Sequence, residues 1–197
     1  MSKFTDEVVI RHFKFSDHLE FERSAKQNAD FMGEYLPEGS LYKGFTPFEF
    51  SLVFKGYVTN ADGYEYFGAF FRNQLVGMTS VCPASTEFGA QLIYWVDQKY
   101  INFGIATKMV SEISEIQFRK GYWNIESHTD RSNLGSQRIM EKCGFVIVDR
   151  YKAELHGSKS TGNMIAWIKY NPHPRSPFGP RKSPFDLLRT RTFQLPH

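Results

Sequence analysis

The sequence predicts an α/β domain in which a mixed β-sheet carries helices on both faces. Segments with strand patterning alternate with segments of helical periodicity, in the order βααβββαβαββ. One strand, residues 91–96 (QLIYWV), is an almost continuous apolar run, which is typical of a strand covered on both faces. Chains with this alternation bury the apolar faces of their helices against a central sheet.

The first third of the chain predicts one strand and two helices. Residues 8–10 (VVI) form the first strand. A helix follows over residues 16–28, with Leu19 and Phe21 among its inward-facing residues. The second helix, residues 46–57, has a proline in its first turn, where the missing N–H group is tolerated.

The rest of the domain is predicted from hairpin chemistry and from apolar spacing. An Arg-Asn-Gln turn joins two β-rich runs, and isoleucines at helical spacing mark the clearest helix of the chain. The strands are predicted at residues 66–71, 75–81, 91–96, 122–129, 145–149 and 164–170, and the helices at residues 104–120 and 132–142.

Composition excludes several classes of protein. The chain has 197 residues, of which 41% are hydrophobic and 23% charged, as expected for one core-forming domain with an appendage. No run approaches the ~18 apolar residues of a membrane span, and the N-terminus lacks an apolar signal core. We therefore expect a cytoplasmic protein with no membrane partner. Cys82 and Cys143 have apolar neighbours, which predicts two buried thiols and no metal site.

Charge and proline are concentrated at the C-terminus. Residues 172–197 contain five basic residues, one acidic residue and six of the nine prolines. Because proline disfavours helices and central strands, we expect a domain over residues 1–171 followed by a basic, Pro-rich arm over residues 172–197. Such an arm can attract an acidic protein or RNA through long-range electrostatics. A tail that packs on the domain is the alternative interpretation.

A strand that leads into a helix N-terminus predicts an anion site. The first N–H groups of a helix lack helical partners, and the helix dipole adds positive charge there. Gly104 lets a phosphate approach the backbone, and Asn102 tolerates a left-handed turn. A junction that binds nothing is the alternative.

A second polar constellation lies on a predicted central strand. Asn124, Glu126 and His128 alternate and therefore share one face. If that face opens into a cleft, Glu126 or His128 can act as a general base, directly or through water. Asn133 and Ser136 lie on one side of the next helix's first turn, although N-capping alone also explains them.

Together these segments resemble the GNAT (Gcn5-related N-acetyltransferase) superfamily, and within it the RimJ/RimL-like branch of protein N-terminal acetyltransferases. The resemblance covers most of residues 5–170 and rests on motifs in the family's order: VIR at 9–11, YWVD at 94–97, GIAT at 104–107, N-x-x-S at 133–136 and EKCGF at 141–145. It implies a mixed, mostly antiparallel sheet with helices on both faces and a V-shaped splay between the two central strands.

The resemblance also implies acetyl-coenzyme A (acetyl-CoA) as co-substrate, bound in the splay. Backbone groups of the strand would hold the pantetheine arm, and amides at the helix start would hold the pyrophosphate. The implied donor-binding residues are Trp95, Val96, Asn102, Phe103, Gly104, Ile105, Ala106, Thr107 and Asn133. Lys99, Lys108, Arg138 and Lys142 are further candidates for phosphate contact.

The implied catalytic residues are Glu126 and Ser136, with no metal. Glu126 is preferred as the base because a carboxylate in a cleft of low dielectric can have a raised pKa. Ser136 would protonate the departing thiolate. His128 and water remain open as alternatives for the base.

The implied function is transfer of an acetyl group from acetyl-CoA to a primary amine, with a protein N-terminal α-amine preferred over an aminoacyl-tRNA or a polyamine. Two family positions differ: Ile101 replaces the Gln or Arg that opens the pattern Q/R-x-x-G-x-G/A, and Asn102 replaces the glycine that often follows it. The alternative is therefore a non-catalytic GNAT-fold binding or assembly module that uses its basic C-terminal arm.

Overall fold

The computed structural model of the chain describes residues 3–84, 88–153 and 159–172. The helices are α1 (Lys3–Asp6), α2 (His18–Met32), α3 (Pro37–Leu41), α4 (Pro47–Thr59), α5 (Ile105–Lys120) and α6 (Leu134–Lys142). The strands are β1 (Val8–His12), β2 (Glu65–Phe71), β3 (Gln74–Pro83), β4 (Gly89–Val96), β5 (Asn124–Asp130), β6 (Val146–Lys152) and β7 (Asn163–Tyr170). The predicted alternation is confirmed, with the short helices α1 and α3 added.

The strands form one seven-stranded sheet in the order β1-β2-β3-β4-β5-β7-β6. Strands β4 and β5 are parallel, whereas the other neighbouring pairs are antiparallel. The parallel pair requires a crossover, and α5 provides it. The mixed, mostly antiparallel sheet expected from the sequence is therefore confirmed.

The two central strands diverge along their length. Strand β4 pairs with β5 at three positions, the last of which joins Gln91 to Glu126. Beyond that point β4 continues to Val96 beside β3, and β5 continues to Asp130 beside β7. Each strand thus keeps one partner and turns its other edge toward a gap, which is the expected V-shaped splay.

Helices cover both faces of the sheet, as predicted. On one face, Val110 and Ile113 of α5 pack with Leu92 of β4 and Ile125 of β5. On the opposite face, α2 and α4 bury an aromatic cluster against β2 and β3. We call these the α5 face and the α2 face.

One inward position predicted for α2 is wrong. Phe21 is fully buried, but the side chain of Leu19 is 76% exposed. The buried residues of α2 follow Phe21 at helical spacing and include Ala25 and Met32. Since a helix turns by about 100° per residue, a residue two positions before Phe21 faces solvent.

Three expectations concern the chain as a whole. Cys82 and Cys143 are buried free thiols, as predicted, and burial raises the pKa of Cys82 to about 11. In the described part of the chain, every helix is too short or too polar to cross a membrane. Residues 173–197 lie outside the described residues, so the basic arm and the boundary at residue 171 stay predictions.

Candidate active site

The splay between β4 and β5 opens into a cleft of about 750 Å³. Its walls come from the open edges of both strands, the start of α5, one side of α6 and the end of α2. Of the eleven residues that the sequence assigned to the site, nine line this cleft: Trp95, Val96, Asn102, Gly104, Ile105, Ala106, Thr107, Asn133 and Ser136. The remaining two, Phe103 and Glu126, lie outside the cleft-lining set.

The loop before α5 forms a cradle of backbone amides. Gly104 caps the helix with φ +85°, and Asn102 has φ +67°. A Cβ atom on Gly104 would lie 3.2 Å from Thr5 Cγ2, so both the conformation and the space favour glycine. The first helical bond runs from the Lys108 N–H to the Gly104 carbonyl. The amides of residues 105–107 precede it and have the geometry of an anion site.

The side chain of Phe103 is not part of the cleft lining. It is 47% exposed and lies edge-to-face with Tyr100, with 6.4 Å between the ring centroids. The family resemblance assigned Phe103 to the site through its backbone amide, and that assignment stays a prediction. In a loop with left-handed residues, neighbouring side chains diverge, and linear proximity does not predict which ones face a ligand.

The open edge of β4 offers backbone groups to a ligand. Trp95 and Val96 pair with Met78 and Gly77 of β3 along one edge. Their other edge faces the cleft, because pairing with β5 ends at Gln91. An extended ligand can therefore continue the sheet at this position.

The N-terminus of α6 brings Ser136 to the cleft. Asn133 Oδ1 accepts a hydrogen bond from the Ser136 backbone N–H at 3.0 Å, so Asn133 is a true N-cap. Its Nδ2 group still carries two N–H donors. The capping and binding interpretations of Asn133 are therefore compatible.

Tyr94 is a site residue that the sequence analysis missed. Its hydroxyl lies 2.6 Å from Ser136 Oγ. Burial raises the pKa of Tyr94, which keeps the hydroxyl protonated and able to donate. Strand alternation could have indicated this contact, since Tyr94 shares a face with Leu92 and Val96, and that face packs toward α5.

His128 and Glu126 differ in their access to the cleft. His128 lines it, and its Nδ1 lies 3.0 Å from the Tyr151 hydroxyl. Burial lowers the pKa of His128, and the negative charge of Glu126 opposes that shift. Glu126 is only 4% exposed and lies at the last paired position of the splay. Neutral His128 thus faces the cleft, with a buried carboxylate two residues before it.

Asp130 organises the far end of β5. Its carboxylate accepts five hydrogen bonds, from the Ser132 and Thr161 backbone N–H groups and from the hydroxyls of Ser132, Ser160 and Thr161. These bonds hold the pKa of Asp130 well below its ordinary value despite the opposing effect of burial. They fix residues 159–162, the segment before β7, to the end of β5. Sequence patterns do not indicate this arrangement, because Ser160 and Thr161 lie about 30 residues from Asp130.

The four candidate phosphate contacts separate into two groups. Arg138 and Lys142 of α6 line the cleft. Lys108 instead donates to the Thr5 carbonyl at 2.9 Å and lies 3.5 Å from Glu112, and Lys99 is not among the cleft-lining residues. The cations on α6 are therefore the ones available to an anionic ligand in the cleft.

The sequence model of the acetyltransferase (GNAT) domain matches residues 7–146. The chain belongs to the GNAT acetyltransferase family. This membership confirms the family resemblance and the acetyltransferase class predicted from the sequence.

Solved structures show the same fold. RimL, a ribosomal L7/L12 α-N-protein acetyltransferase in complex with coenzyme A, superposes with a TM-score of 0.75 at 14% identity, covering 83% of this chain and 94% of that one. Mycobacterium smegmatis RimJ in complex with CoA-disulfide gives 0.72 at 15% identity and 85% coverage of both chains. Both neighbours share the fold of this chain.

A third neighbour is the ribosomal-protein-S5-alanine acetyltransferase from Vibrio fischeri. Its TM-score is 0.71 at 17% identity, covering 86% of this chain and 96% of that one. At these identities the similarity establishes the fold. No curated protein sequence matches the chain significantly.

Proposed function

We propose that this GNAT domain transfers the acetyl group of acetyl-CoA to a protein N-terminal α-amine. The observation that carries the proposal is the convergence, in one cleft, of the open β4 edge, the amide cradle of α5 and the Ser136–Tyr94 pair. The names of the structural neighbours support the acceptor, since RimL and the Vibrio fischeri enzyme are named for protein α-amine and ribosomal-protein acetylation.

The donor half of the cleft comprises the β4 edge at residues 95–96, the amides of residues 104–107, and one side of α6. In the proposal, the pantetheine arm extends along β4 and the pyrophosphate lies on the amides. Arg138 and Lys142 add positive charge beside the phosphates. Because backbone amides bind the anion, Ile101 in place of Gln or Arg does not remove the site.

The reaction needs a base, an oxyanion donor and an acid. The amine nucleophile must lose a proton, the tetrahedral oxyanion needs an N–H donor, and the thiolate leaves more readily when it is protonated. Ser136 is the proposed acid. Either hydroxyl of the Tyr94–Ser136 pair can donate; the proposed direction is from Tyr94 O–H to Ser136 Oγ, which leaves the serine proton for the sulfur.

The proposed base is His128, acting beside Glu126. The sequence preferred Glu126, but the cleft-lining position of His128 favours the imidazole for direct contact with the amine. In the proposed tautomer of His128, Nδ1–H donates to the Tyr151 hydroxyl and Nε2 carries the lone pair. The charge of Glu126 then stabilises the imidazolium that forms.

The test has two stages, donor binding and transfer. Titration calorimetry should show micromolar binding of acetyl-CoA, lost in Gly104→Trp, because the indole would fill the cradle and the φ of +85° would strain the backbone. The matched control is Gly56→Trp on α4, where a side chain meets nothing within 4 Å. No binding to the intact chain would instead support the non-catalytic module.

Transfer is then measured as thiol release with two peptides whose sequences differ at one position, which is arginine in the first and lysine in the second. One has a free α-amine and no lysine, and the other has a blocked α-amine and a free lysine. The proposal expects transfer to the first peptide alone. Preferred acetylation of the lysine peptide would contradict the α-amine acceptor while keeping the acetyltransferase activity.

A further inference from the structure

We propose that the cleft selects acceptor proteins whose first residue has a large apolar side chain, such as Met, Leu or Phe. This inference rests on the proposed function, because it names the acceptor class for the same cleft. It is carried by the side chains that surround His128 on the α2 face. We call this region the acceptor half of the cleft.

Strand alternation determines which side chains surround the acceptor amine. Trp95 packs with the aromatic core cluster of the α2 face, and Ile93 shares its side of β4. On β5, Thr129 accepts from the Trp167 indole, which belongs to the α5-face core, so the alternate residue His128 faces the α2 side. A group attached to an amine at His128 therefore extends into the α2 side of the cleft.

The described lining of this region is mostly apolar. At the end of α2, the side chains of Phe31, Tyr35 and Leu36 line the cleft. Ile93 and Trp95 contribute from β4. Because binding strength follows the apolar area removed from water, such walls favour an aliphatic or aromatic side chain over serine or alanine.

Besides Glu126, which is buried beside His128, two carboxylates near this region are engaged by other groups of the chain. Asp130 accepts five hydrogen bonds, while a carboxylate offers about four lone-pair directions. Glu34, at the end of α2, forms an ion pair with Lys159 at 2.7 Å. The Lys159 backbone N–H also donates to the Glu34 carbonyl at 3.0 Å. A second cation on the acceptor, as in a polyamine, would have to displace these partners.

The same contacts bring the segment before β7 close to α2. Lys159 joins this segment to Glu34, and Asp130 joins it to the end of β5. The cleft lining here comes from the end of α2, from β4 and from Tyr151 and Met164 of β6 and β7, so the acceptor half is bordered on three sides. A bounded apolar recess discriminates by side-chain volume, whereas an open surface does not.

The experiment compares peptides that differ only in their first residue, Met, Leu, Phe, Ala, Ser or Asp, together with spermidine. The readout is kcat/KM for thiol release from acetyl-CoA by the intact chain. We expect the apolar first residues to exceed Ala and Ser by about tenfold or more, with spermidine lowest. Equal values across the peptides, or a preference for Ser, Asp or spermidine, would overturn the inference.

A substitution in the acceptor half tests whether its apolar side chains cause the preference for apolar first residues. Phe31→Ala should lower kcat/KM for the Met and Leu peptides about tenfold and leave the Ser peptide unchanged, with unaltered acetyl-CoA binding. Leu36→Ser provides the same test if Phe31→Ala fails to fold. The control is Phe15→Ala, whose side chain is exposed and outside the cleft lining. A uniform loss for all peptides would contradict a selective recess.

This design separates the two proposals. Transfer to peptide α-amines without first-residue preference overturns the apolar selection and keeps the proposed function. Acetyl-CoA binding without transfer to any peptide overturns both.

Discussion

The two halves of the cleft are built in different ways. The donor half comes from two short segments of the chain, residues 94–107 and 133–142, in which each strand or turn leads directly into a helix. The acceptor half combines the end of α2 with single side chains of β4, β5, β6 and β7. The donor half presents backbone N–H groups and cations, and the acceptor half presents apolar side chains around one histidine.

This difference distinguishes binding that needs only the backbone from binding that depends on the identity of the side chains. Amides at a helix start and an open strand edge bind a ligand through the backbone, so side-chain identity matters little there. In the acceptor half, the lining residues come from several elements and contribute side chains. Substitutions there should therefore change which amine reacts and how fast, while donor binding stays the same.

The largest expected effect is loss of the base from the acceptor half. His128→Gln should lower kcat by about 10²- to 10⁴-fold at pH 7, with acetyl-CoA binding unchanged by calorimetry. Glu126→Gln should have a smaller effect, because the carboxylate acts through the histidine. If Glu126→Gln were the more damaging change, Glu126 itself would be the base, as the sequence alone suggested.

The pH profile of kcat provides an independent check of the base. The base works in its neutral form, and burial lowers the pKa of His128 below its ordinary value of about 6.5. The rate should therefore hold at neutral pH and fall as the pH drops through a value below 6.5. In His128→Gln this acidic limb should disappear, and a limb that persists would assign it to another group.

The next effect belongs to the donor half. Ser136→Ala should lower kcat by about 10²-fold, the lower end of the effect of a general acid. The KM for acetyl-CoA should stay close to the wild-type value, because Asn133 caps α6 through the backbone N–H of residue 136, which alanine retains. A matched control is Ser111→Ala on α5, outside the cleft lining. An unchanged kcat would remove Ser136 from the mechanism.

The local structure of the donor half could be predicted from the sequence because it depends on neighbouring residues. The helix start at Gly104, the left-handed Asn102 and the N-cap Asn133 each follow from residue type and immediate neighbours. Phe103 shows the limit of this reasoning, since its side-chain direction depends on the loop conformation. The order of strands and helices along the chain and the helical faces followed from periodicity, except at Leu19, where the phase of the helix was misjudged.

The acceptor half could not be predicted in the same way. Its contacts connect residues far apart in sequence, as in the pair of His128 with Tyr151 and the bonds of Asp130 with Ser160. Nothing in the local sequence around Phe31 or Leu36 indicates that the end of α2 borders the cleft. The choice between Glu126 and His128 also depended on where β4 and β5 separate, which periodicity does not reveal.

A smaller effect should follow from removing the partner of Ser136. Tyr94→Phe deletes the hydroxyl 2.6 Å from Ser136 Oγ and keeps the ring that packs toward α5. Loss of one hydrogen bond of about 1 kcal/mol should lower kcat about fivefold without changing the KM for acetyl-CoA. The control is Tyr170→Phe, at the exposed end of β7. If Tyr94 only supported the core, the melting temperature would fall and kcat would not.

The smallest effect should come from the surface cations of the donor half. Lys142→Gln removes one positive charge that lines the cleft. Because an exposed charge contact contributes up to about 1 kcal/mol, the KM for acetyl-CoA should rise about two- to fivefold, with kcat unchanged. Because salt screens such contacts, the wild-type KM should rise with ionic strength more steeply than that of the variant. Lys55→Gln on α4, away from the cleft, is the control. Parallel salt dependence in the two proteins would show that the backbone amides alone hold the phosphates. The donor half would then differ from the acceptor half only in binding through backbone groups instead of side chains, and charge would contribute nothing to the difference.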